Sequence, residues 1–116
     1  MSYIDGFVVP VKDLDAYKKM ARKAGKVWME HGALQYFECA ADDVPPGKTT
    51  DFYRSVKAKE GETVVFAFVV YKSRAHRDRV MKAVMADPRM KMPDPSSVPF
   101  DMKRMIFGGF KTVVEF

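Results

Sequence analysis

Apolar positions recur along this chain with two different spacings. Residues 3–11 (YIDGFVVPV) are rich in β-branched and aromatic side chains and read as a strand. Pro10 has no backbone donor, so it belongs near that strand's end or at a bulge. Asp13 follows as a helix N-cap. Leu14, Tyr17, Ala21, Ala24, Trp28 and His31 then recur at 3-4-3-4-3 spacing, which predicts a helix over 14–31 lying flat on a sheet. Gly25 beside that stripe permits close approach, and Gly32 suits the C-terminal cap. Residues 34–41 read as a second strand. Residues 42–48 read as a loop, with Pro46-Gly47 at the centre of a type II turn. Residues 52–59 read as a strand or an extension of the next one. TVVFAFVVY at 63–71 is the clearest strand and is apolar on both faces. Ser73 caps a second helix over 74–86, with Val80, Met81, Val84 and Met85 inward, and Asp87-Pro88 stops it. Residues 88–103 carry Pro88, Pro93, Pro95 and Pro99 and suggest no regular structure. Residues 104–116 close the chain as a last strand. The order strand-helix-strand-strand-helix-strand is a duplicated βαβ. It predicts an α+β fold, a ferredoxin-like antiparallel sheet with two helices on one face, in one domain spanning 1–116.

Two helices cannot cover both faces of such a sheet. Val64, Phe66, Phe68 and Val70 lie on one side of the third strand, and Val65, Ala67, Val69 and Tyr71 on the other. An open apolar face of several hundred Å² is a liability in a monomer. Pairing with a second copy about a two-fold axis removes it, so the pattern predicts a homodimer of apposed sheets. If facing residues of the first and last strands sum to 116, Gly6 meets Phe110, Phe7 meets Gly109, and Asp5 meets Lys111. Each glycine then has an aromatic cover.

Composition narrows the classes. The 116 residues are 47% hydrophobic and 13% aromatic, which excludes disorder and supports a real core. The longest apolar run, 64–71, is far shorter than the ~20 residues that span a bilayer, so no membrane association is expected. No secretory signal is visible, and a lone cysteine fits a reducing cytoplasm, the expected location. The formal charge of +5 is spread over helix faces without a basic tail. Nucleic acid is therefore not the expected partner, and weak binding of it is the third reading.

Candidate chemistry is sparse. His31 and His76 lie in different halves without carboxylates or thiolates at ligand spacing, so no metal and no cofactor are expected. Cys39 reads as a core residue. Glu38 and Asp5 stand on strands and need partners. Projected into the lumen between two sheets, Glu38 becomes a candidate general acid or base, with Tyr36 on the same face able to donate to it. A salt bridge to Lys57, Arg54 or Arg104 is the plainer outcome. His31 is the second catalytic candidate. Trp28, Tyr36, Phe66, Phe68, Arg104 and Phe107 are the candidate ligand-binding residues. Met81, Met85, Met90, Met92, Met102 and Met105 read as adaptable filler or a soft apolar wall.

YIDGFVV (3–9), DVPPGK (43–48), TDF (50–52), DPRMK (87–91) and PFDMKRMIFGGF (99–110) resemble the YbaA-like family of small bacterial proteins. Met102 departs from that pattern, where glycine is expected. The resemblance implies a dimeric α+β barrel. The wider barrel superfamily includes cofactor-independent monooxygenases, dye-decolourising peroxidases and lactone isomerases, but a fold does not transfer an activity. The reading is a cytoplasmic homodimer that binds a small apolar or aromatic molecule between sheet and loops. The enzyme alternative is a cofactor-independent monooxygenase or isomerase of small organic compounds.

Overall fold

Strand β3, Thr63–Tyr71, is the middle of the sheet, and everything else is arranged by what its two faces need. In the computed structural model, which describes residues 1–91, 94, 96 and 98–116, β3 pairs with β1 (Tyr3–Val11) and β2 (Gln35–Ala40). β1 also pairs with β4 (Ile106–Lys111), giving the order β2-β3-β1-β4 with every neighbour antiparallel. Helices α1 (Leu14–Glu30) and α3 (Arg74–Ala86) lie on one face, as the ferredoxin-like pattern requires.

Asp13 and Ser73 cap these helices, each accepting from the backbone N–H three residues on. His31 and Gly32 close α1. The helix-side core is built from small side chains. Val9, Val11 and Val65 meet Tyr17 and Ala21; Val69 and Tyr71 meet Val27, Trp28, Val80 and Val84. A polar thread runs through it: Trp28 Nε1 donates to the Tyr71 hydroxyl at 3.0 Å, and burial foremost, with the nearby Asp5 carboxylate among the further influences, raises the Tyr71 phenol above its ordinary range. Arg77 Nη1 of α3 reaches Asp5 Oδ1 at 2.6 Å.

Several expectations need correction. Residues 52–59 are not a strand: Asp51 caps a single helical turn, α2 (Phe52–Ser55), and Lys57 takes φ 51°. Together with Val56 this segment covers Val8 and Val64 on the sheet face away from α1 and α3. The last strand ends at Lys111 rather than 116. Gly47 lacks the positive φ that a type II turn demands, and its carbonyl instead accepts from Arg54. Met102 needs no glycine either, because Asp101 Oδ1 closes that turn by accepting from Lys103 N at 2.9 Å. Residues 88–90 form a short 3-10 turn, and Met92, Pro93, Pro95 and Ser97 of the expected loop lie outside the described residues.

The register differs by two residues. Gly6 faces Gly108, Phe7 faces Phe107, and Asp5 faces Gly109, so Lys111 meets Tyr3 and not Asp5. Asp5 takes its charge from α3, and Gly109 makes that contact feasible: a side chain there would occupy the space of the Tyr3 hydroxyl and Arg77 Nη1. Aromatic cover of the glycines survives diagonally, with the Phe110 ring 3.9 Å from the Cβ position of Gly6 and 3.6 Å from that of Gly108.

Cys39 is exposed rather than buried, since it points from edge strand β2 to the uncovered face. That face is broad and apolar. Ile4, Phe37, Phe66, Phe68, Ile106 and Phe110 share it, and Phe110 remains 64% exposed.

Candidate functional site

The helix-side residues of edge strand β2 are Tyr36, Glu38 and Ala40. No further strand flanks β2 among the described residues, so the space between it and α1 is a groove open along the sheet edge. Its volume is about 840 Å³, and its floor carries Leu14, Tyr17, Ala21, Leu34, Tyr36 and Val65. Gly25 sets the helix-to-strand distance. A Cβ on it would stand 2.9 Å from the Tyr36 ring, so only glycine lets that ring lie against the helix.

Glu38 is the centre of this groove. Its Oε1 accepts from the Tyr17 hydroxyl at 2.7 Å and its Oε2 from the Tyr36 hydroxyl at 2.6 Å. Burial foremost, and then the adjacent carboxylate, push both phenols well above their ordinary range, so both remain protonated donors. Each Glu38 oxygen retains a further lone pair. The arrangement can therefore accept a hydrogen bond from a ligand. It can also take up a proton while two phenols hold the carboxylate in place.

The other sequence candidates are dispersed. Trp28 is buried behind Tyr36, ring centroids 5.8 Å apart, with its N–H committed to Tyr71. His31 lies at the end of α1, its Nε2 2.8 Å from Asp87 Oδ2. Arg89 joins Asp87 to Glu30 there, and these contacts hold both carboxyls below their usual range. Phe66 and Phe68 lie on the opposite sheet face, so the groove does not include them. Phe107 stacks on Phe7 at the far edge strand, ring centroids 6.3 Å apart. Arg104 is bidentate on Glu62, 2.7 Å for both contacts, and also binds Asp101 Oδ2 and the Lys57 carbonyl.

Two expectations for Glu38 therefore change. It lies on the helix side of the sheet rather than toward a lumen between sheets, and its partners are tyrosines rather than Lys57, Arg54 or Arg104. Tyr36 donates to it as its shared face suggested. Tyr17 was hidden in the sequence as one more member of the inner helical stripe. A phenol there needs a buried acceptor, but nothing in the spacing says which.

Among the described residues no group of three His, Cys, Asp or Glu side chains could hold a metal ion. No helix of the described chain is long and apolar enough to cross a membrane.

Comparison with known proteins agrees with the whole-chain resemblance. The uncharacterized protein YbaA of Escherichia coli K12 is 50% identical over 117 residues, covering 99% of both chains. The YbaA proteins of Escherichia coli O157:H7 and Shigella flexneri match equally. Among solved structures, the de novo designed protein Foldit4 aligns over 97% of this chain and 99% of its own at TM-score 0.49 and 5% identity. Residues 2–102 match the family described as "Protein of unknown function (DUF1428)", and the chain belongs to that family.

Proposed function

We propose that this chain works as a homodimer that binds a small aromatic or apolar molecule in the groove between α1 and β2. The observation that carries the reading is Glu38, held by Tyr17 and Tyr36 at the floor of an apolar recess. A carboxylate set among aromatic and aliphatic walls is the polar anchor that small-molecule sites use to orient a ligand. Such a ligand places a ring along Tyr36 and Leu34 and donates an O–H or N–H to Glu38. The groove's volume falls within the ~300–1,000 Å³ typical of such sites.

The second copy answers the opposite sheet face. Phe37, Phe66, Phe68, Ile106 and Phe110 form a surface with no charged member on the strands that carry it, so a copy of itself meets no like-charge repulsion there. The location of this dimer is the cytoplasm, consistent with one unpaired, exposed cysteine.

Titration with naphthol tests the ligand reading. Saturable binding is expected at one molecule per subunit, weakened about tenfold in Glu38→Gln, which keeps shape but changes the acceptor. No saturable binding of naphthol or of its carboxylated analogues, or naphthol binding indifferent to Glu38→Gln, contradicts it.

One observation favours catalysis as a second reading. A carboxylate fixed by two phenols suits proton abstraction from an acidic C–H or O–H, as a cofactor-independent isomerase or monooxygenase requires. His31, bound to Asp87, has no part in it. Turnover of quinols or lactones that disappears in Glu38→Gln supports this reading, and no turnover in the unmodified protein contradicts it.

A further inference from the structure

Lys18, Arg22 and Lys26 also line the groove, one helical turn apart along the outer lip formed by α1. All three are exposed, and none has a hydrogen bond or ion pair among the described residues. Four arginines elsewhere in the fold are tied down, Arg54 to Asp51, Arg77 to Asp5 and Asp78, Arg89 to Asp87 and Glu30, and Arg104 to Glu62 and Asp101, whereas Arg74 and Arg79 of α3 are not but do not border this groove. The lip therefore carries three cations outside any ion pair, of which Lys26 feels the Glu30 carboxylate one turn along.

The acids nearest to it are engaged mainly by other groups. Glu30 also borders the groove, but Arg89 Nη2 holds its Oε2 at 2.6 Å. Glu38, at the floor, is already covered by two O–H donors. Across the lip, β2 contributes Gln35 and Phe37, neither of them acidic. A groove so arranged is polarised, with positive charge at its rim and a hydrogen-bond acceptor within, separated by an apolar wall.

We infer that the groove's ligand is an aromatic acid carrying a hydroxyl or amine at its far end, anion toward Lys18, Arg22 and Lys26 and donor toward Glu38. This rests on the groove being a ligand site, and it adds the ligand's charge and polarity. A ligand with the opposite arrangement, cation outward, meets repulsion at the lip. A neutral aromatic gains nothing from it. An acid with no donor leaves the Glu38 acceptor capacity unfilled and its carboxylate dehydrated, an outcome that buried polar groups disfavour.

Three probes separate the elements: naphthol, naphthoate, and a hydroxynaphthoate with its two groups at opposite ends of the ring system. Calorimetric titration at low salt is expected to rank hydroxynaphthoate first, about tenfold tighter than naphthol. That advantage shrinks as salt rises, because the lip is exposed. It falls to near unity when Lys18, Arg22 and Lys26 are all replaced by Gln. Far-ultraviolet circular dichroism of that variant checks that α1 is intact. Naphthol binding as tightly as hydroxynaphthoate overturns the inference and leaves the ligand site standing. An advantage that persists undiminished in the triple variant also overturns it. Failure of all three probes overturns both the inference and the ligand site.

Discussion

Val65, Ala67, Val69 and Tyr71 on the helix side of β3 are buried, whereas Phe66 is exposed and Phe68 half-buried, one residue away on the same strand. Hydrophobicity does not distinguish these sets, but shape does. Apart from Tyr71, small residues line the side on which helices approach closely, and large rings stand on the other side, where within the subunit Phe52 of α2 meets Phe66 edge to face. α2 and Val56 shield the Val8 and Val64 end of the open face and extend to Phe66 through Phe52. The contrast separates residues that secure the fold from residues on the open face, and charge placed on each side by turn tests it.

The largest expected effect is that of Val69→Asp. It puts a second carboxylate into the buried cluster, directly across from Asp5, whose cation Arg77 is already taken, which costs about 5 kcal/mol or more, and urea denaturation should find the protein largely unfolded. Phe68→Asp, on the other face, should leave a folded subunit with an unchanged far-ultraviolet spectrum. Comparable unfolding by the two would erase the distinction between faces.

Arg77→Met sharpens the helix side. Asp5 is only 5% exposed, and removing the guanidinium leaves its charge without a cation. A loss of about 3 kcal/mol is expected from urea midpoints at neutral pH. Gly109 faces the same contact, so Gly109→Val should be destabilising for a related reason, by displacing Arg77 and Tyr3. A near-neutral Arg77→Met would contradict the assignment of Arg77 as the cation that Asp5 requires.

A smaller effect belongs to the sheet's end, where Arg104 clasps Glu62. Hydrogen bonds from Arg104 first of all lower the Glu62 carboxyl from 4.5 to about 2. Its folded value is depressed, so its contribution is complete above about pH 4.5 and is lost as pH falls toward 2. Arg104→Met should cost about 1 kcal/mol at neutral pH and make stability flatter across that acid window. Parallel acid limbs in the two proteins would contradict this assignment.

How much of this was legible in the sequence follows the range of the interactions. β1, β3 and α3 match their patterns residue for residue, because alternation, caps and stop signals act within a few positions. The short turn at 52–55 escaped because alternating apolar residues favour a strand, whereas Asp51 capping Arg54 N decides for a helix. The register escaped because aromatic cover of Gly6 and Gly108 is achieved diagonally by Phe110, a contact that pairwise facing does not reveal. Glu38 and Tyr36 were visible as a pair two residues apart on one strand. Tyr17 was not, since only the crossing of α1 over β2 brings it there. The candidates around the groove were likewise scattered: Phe66 and Phe68 needed the knowledge of which face α1 covers.

The most direct measurement of the account is sedimentation velocity at micromolar concentration on the unmodified protein and on Phe68→Asp. The unmodified protein is expected to sediment at twice the chain mass of 13.2 kDa and the variant at that mass itself, still folded. An unmodified protein that sediments as a single 13.2 kDa chain, its phenylalanine-rich face in water, would contradict this.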